Sequence, residues 1–247
     1  MKLNEITAKV LTDKQKGEKA LMIEKALYTH NIWNASIRSD LLVDVDGDVI
    51  FKNKSFTKLP IQFGHVKGNF HIIGCKKLTN LQGCPTKVDK GFELVRSILL
   101  PSLNGMTQEV GENVRIEDCY NLTSLEGMTQ KIGEDFTIFN LTSLTTLKGC
   151  PKEIGKSFFC FQCGNLKSFE YLPKQIHGKF GFRNLATVRD YLRIFDVKGI
   201  TEIESSFGFR DKKLEQILSK YYLAGRDMLG CQDELIEAGL EIYAEVE

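Results

Sequence analysis

Leucine recurs at Leu78, Leu100, Leu122, Leu144 and Leu166, every 22 residues without an insertion. Three residues after each stands a second apolar side chain: Leu81, Leu103, Leu125, Leu147 and Phe169. One period upstream lie Phe56 and Leu59, so six units run from about residue 56 to residue 187. Whatever the unit is, it cannot bury its apolar side alone; its neighbours must stack on it to make a continuous core. The other columns agree. Phe70, Phe92, Val114, Phe136, Phe158 and Phe180 form one, and Ile72, Leu94, Ile116, Ile138, Cys160 and Phe182 the next. A third holds Cys75, Ser97, Cys119, Leu141, Cys163 and Leu185, and a fourth Val66, Val88, Val110, Ile132, Ile154 and Ile176. Gly83, Gly105, Gly127 and Gly149 follow the second leucine by two, where the chain must turn.

Apolar residues two apart, then a turn, then two leucines three apart, describe a short strand followed by a coil that winds back. The segments "FHIIGCKKL", "VRIEDCYNL" and "FFCFQCGNL" fit L-x-L-x-x-C-x-x-L, with other apolar residues in the leucine slots. In these segments the chain resembles the leucine-rich repeat family, near its cysteine-containing form. The longer units, such as "LTTLKGCPKEIGKSFFCFQC", look like a subtype abundant among bacteriophage-encoded proteins. The resemblance covers roughly residues 40 to 187. It implies an α/β fold, a curved solenoid of about six 22-residue units, with a parallel concave β-sheet and irregular segments outside.

The flanks read as caps, which solenoid ends require. Residues 1–33 make an N-terminal helical segment, with helical spacing through Ala20, Ile23, Ala26 and Leu27. Residues 34–55, containing "LLVDVDGDVIF", suit a capping strand or hairpin around an Asp-Gly turn. Residues 188–247 read as a C-terminal helical cap or small domain. One helix is expected from about Asp211 and another from about Asp233, separated by Gly230.

A formal net charge of +1, with both signs interspersed, gives no electrostatic reason to expect nucleic acid or an anionic membrane as partner. The charged N-terminus lacks the apolar core of a signal peptide, and no window approaches eighteen consecutive apolar residues. Seven cysteines, an odd number, then read as reduced thiols in a cytoplasmic chain.

Three short motifs invite chemistry. Cys160 and Cys163 have C-x-x-C spacing, but structural zinc wants four ligands and no second pair exists. Both also fall in inward columns, where a buried thiol acts as a small hydrophobe. "DVDGD", Asp44 to Asp48, has its glycine fourth and no acid at the twelfth position, so it departs from the EF-hand loop. Acids that deter edge-to-edge pairing are the simpler account. "CQD", Cys231 to Asp233, matches the Cys-x-Asp motif of bacterial effector ubiquitin ligases that join leucine-rich repeats to a helical domain. The helical remainder here is far shorter, and all four histidines precede it. No metal, cofactor or catalytic residue is assigned, and the chain is read as a non-enzyme.

The residues between inward strand positions point to the opposite face. They form two columns: His71, Glu93, Arg115, Thr137, Phe159, Gly181 and Ile73, Val95, Glu117, Phe139, Phe161, Arg183. Phe139, Phe159 and Phe161 are expected to make an exposed aromatic patch, with Ile73 and Val95 a smaller one and Arg115, Glu117 and Arg183 a charged rim. The expected function is a module that binds a protein or peptide through its concave face. The phage resemblance implies a host protein as that partner, and the host cytoplasm as the place. A virion-associated or self-assembling structural protein is the alternative, and a Cys-dependent ligase in the C-terminal helices a third reading. The sequence sets no oligomeric state.

Overall fold

The apolar columns line the inner faces of two stacked sheets. The computed structural model describes residues 12–205 and 209–244, and successive turns of the chain add one strand to each sheet. The longer strands are Val49–Lys52, Phe70–Ile73, Phe92–Val95, Val114–Glu117, Phe136–Phe139, Phe158–Phe161, Lys179–Arg183 and Glu202–Ser205, hydrogen-bonded in that order and parallel throughout. Their register reproduces the sequence columns, with Phe136 opposite Phe158 and Ile138 opposite Cys160. The chain is a parallel β-solenoid of about seven turns with helices at both ends.

The far side is more regular than the resemblance implied. Val88, Val110, Ile132, Ile154 and Ile176 are each the buried member of a two-residue strand, and these strands form a second parallel sheet. Two residues are too few to show the alternation by which a strand is recognised in sequence.

Inside, Leu78, Leu100, Leu122, Leu144 and Leu166 have no solvent exposure. Rings of the phenylalanine column stack turn upon turn: Phe70 on Phe92 at 5.8 Å and 17°, Phe136 on Phe158 at 5.1 Å and 7°. Val114 interrupts the series. The glycine column turns with positive φ, from +88° at Gly105 to +103° at Gly83.

A polar ladder precedes the long strands. Side-chain oxygens of Asp48, Asn69, Asn113, Asp135 and Ser157 accept the backbone N–H one turn on, from Asn69, Gly91, Asp135, Ser157 and Lys179. These bonds, 2.7 to 3.2 Å long, satisfy amides that leave the sheet at each corner.

Both ends are covered. The helix Asp13–Thr29 starts in a capping box between Thr12 and Gln15. Leu27 and Ile32 are buried, and the His30 ring packs edge-on against Phe51 at 5.4 Å. An antiparallel hairpin of Ala35–Ile37 and Val43–Val45 follows, and its second strand continues in parallel into the stack. At the other end a 3₁₀ helix, Tyr191–Asp196, precedes the last long strand, Glu202–Ser205. The helices Phe209–Leu223 and Met228–Glu237 then close the end. Gly230 does not divide them as expected; the break falls at Gly225 and Arg226, both with positive φ. Asp227 restarts the helix by accepting the Gly230 N–H at 2.9 Å.

Candidate functional site

The long strands settle which side chains point outward. Phe136–Phe139 and Phe158–Phe161 both alternate buried and partly buried residues, so Phe139, Phe159 and Phe161 face away from the core. Phe139 stands opposite Phe161 in register, and Thr137 opposite Phe159. The Phe159 and Phe161 rings touch, centroids 5.6 Å apart at 39°. Both lean over Gly181, the next residue in the first column, which has no side chain to hold them off.

These rings line an open groove of about 530 Å³ together with Arg115, Lys179, Arg183 and Glu204. The Arg183 guanidinium stands over Phe161, its carbon 5.1 Å from the ring centroid. Arg115 donates to Glu117 on its own strand, Nε to Oε2 at 2.7 Å. Lys179 pairs with Glu202 at 2.9 Å and lies 3.8 Å from Glu204; its hydrogen bond to Glu202 holds the ammonium pKa up. Of the three residues expected as a rim, Arg115 and Arg183 line the groove, whereas Glu117 is held by Arg115 and is not among the lining residues. Ile73 is partly buried, but Val95 is only 7 % exposed and adds no patch. Its in-register neighbours are the longer Ile73 and Glu117, and they flank the short valine on both sides.

Lys179, 22 residues after Ser157, stands one place before the strand's first inward residue and so outside the two outward columns; Glu204 escaped for another reason. Gly181 pairs with Glu204, a step of 23 residues, so a strict 22-residue comparison lands on Ile203 instead. Beyond Arg115 the face turns polar, a second hollow of about 340 Å³ lined by His71, Glu93, Asn113 and Asp135 among others.

The three motifs have structural occupations. Cys160 and Cys163 are fully buried in the core columns, and burial drives the Cys160 thiol far up. Asp44 accepts from Arg38 Nε at 2.6 Å and from the His65 amide at 2.8 Å. Asp46 pairs with Lys67, and Asp48 accepts from Asn69. All three acids thus tie the first turn to the second rather than converging on a point. Cys231 is fully buried in the first turns of its helix, with its thiol pushed up to about 12 by burial and by Glu234 and Asp227. That is the reverse of what an activated thiolate nucleophile needs.

Comparison with protein-family models, curated proteins and solved structures returns no match. No helix among the described residues is long and apolar enough to cross a membrane.

Proposed function

We propose that this chain is a non-enzymatic binding module that docks a protein or peptide on the outward face of the long-strand sheet. The observation that carries the reading is the trio Phe139, Phe159 and Phe161, held partly exposed in one groove on a rigid sheet. Phenyl rings on a solvated sheet face bring apolar area at little side-chain entropy cost, and a rim of charges around them is the usual anatomy of a docking site. The repeat pattern supports placing the chain among leucine-rich repeat proteins of the bacteriophage type. On that placement the partner is a host protein, met in the host cytoplasm, whose activity the module modulates or inhibits.

The test is capture from host lysate by the wild-type chain and by F139A/F159A/F161A, with circular dichroism to confirm that the variant folds. Partners retained by wild type and lost by the variant are expected. Equal capture by both would remove the face from the function. A concentration-dependent oligomer that the triple variant abolishes would make the partner a second copy of this chain.

A further inference from the structure

Three cations line the aromatic groove, and two of them are answered. Arg115 has Glu117, and Lys179 has Glu202. Arg183 has no carboxylate partner among the described residues, and its Nε is buried without an acceptor. The guanidinium stands over the Phe161 ring, which attracts the cation but offers no in-plane acceptor for an N–H. Stacking fixes the planar group, and with Nε covered the two terminal nitrogens are the fork of N–H groups left to match a carboxylate. Beside that fork lie the rings of Phe159 and Phe161 over Gly181, an apolar shelf.

We propose that the groove recognises an acidic side chain, Asp or Glu, next to a large apolar side chain in one segment of a partner protein. The carboxylate meets the Arg183 fork and the apolar neighbour lies on the phenylalanine shelf. A free small acid is the poorer match, since the groove is open and would enclose little of it. This inference rests on the reading of the face as a docking surface and names what that surface selects.

The experiment is selection of displayed random peptides on the immobilised full chain, in a format that leaves no peptide with a free C-terminus. Enriched peptides are expected to carry an acid within two positions of a large apolar residue. A synthetic winner should lose at least about tenfold in affinity on R183Q. Changing its acid to the amide should cost a similar factor, and the two changes together should cost no more than either alone. R183K, which keeps the charge but not the fork, should fall between. Winners that need the three phenylalanines but no acid would overturn the role of Arg183 and leave the docking face standing. So would an acid-to-amide loss undiminished on R183Q. Absence of any enrichment, or enrichment unchanged by F139A/F159A/F161A, would overturn the face itself.

Discussion

The ring of Phe159 lies over Gly181: a β-carbon on that glycine would stand 2.5 Å from ring Cδ1 and 3.2 Å from Cζ of Phe161. The gap in the first outward column is therefore filled from the side by the aromatic pair. G181A should fold, because the clash is with mobile rings, at a cost of about 1 kcal/mol. In an F159A background most of that cost should vanish. Urea unfolding of the four species measures the coupling, and an equal cost in both backgrounds would mean the ring does not rest there.

Gly133 meets something that cannot move aside. A β-carbon there would lie 1.8 Å from the carbonyl oxygen of Gly111, one turn below, and Gly155 stands in the same relation to Gly133 at 1.9 Å. G133A should cost about 3 kcal/mol or more, since the backbones of neighbouring turns must part. Gly164 is the control: nothing lies within 4 Å of its β-carbon position. G164A should be neutral or stabilising by up to about 1 kcal/mol. Thermal unfolding ranks the two, and similar midpoints would contradict the packing of the corner.

Those glycines mark where the sequence was legible and where it was not. A column of identical spacing fixes burial, so the leucine and phenylalanine columns, and the outward parity of Phe159 and Phe161, could be read directly. Corners are harder. Asn53, Arg96, Asp118, Asn140, Gln162 and Asn184 all hold φ between +53° and +56° at the end of a long strand. Arginine and glutamine carry no compositional sign of that conformation, because tertiary stacking imposes it. The ends of the solenoid were hidden by arithmetic. Val49 pairs with Phe70 and Phe180 with Ile203, steps of 21 and 23 residues, so a strict period loses the first and last long strands. The stacking of Arg183 on Phe161 depends on side-chain direction, which spacing does not encode.

The thiols give a prediction about C-x-x-C. All seven cysteines are free and buried. Burial raises the thiol of Cys119 to about 12, as it does that of Cys231. Under native conditions at mildly alkaline pH, a thiol-reactive chromophore should label less than one equivalent in minutes, and all seven after unfolding. C160A should behave as a core truncation, costing about 1–2 kcal/mol and releasing no metal. Rapid native labelling of Cys160 or Cys163 would show that the pair is accessible and return it to chemistry.

The C-terminal closure should be sensitive to acid through Glu215, which is only 8 % exposed. Its carboxylate accepts from the Ser205 hydroxyl at 2.7 Å, from the Ser205 amide and from Lys212 Nζ at 2.7 Å, joining the last helix pair to the last long strand. Burial alone would raise its pKa, but Lys212 and the two Ser205 donors outweigh it and hold the value below the ordinary 4.5. A carboxyl lowered on folding stabilises fully above its unfolded pKa, and the contribution is lost as pH falls through the folded one. Asp48, lowered chiefly by the Asn69 amide, acts with the same sign at the opposite end. E215Q should therefore cost about 1–3 kcal/mol at neutral pH. It should also flatten the decline in melting temperature below about pH 4.5. Melting curves of wild type and E215Q across the acid range provide the check. Parallel acid limbs would mean that the Glu215–Ser205 contact does not hold the closure shut.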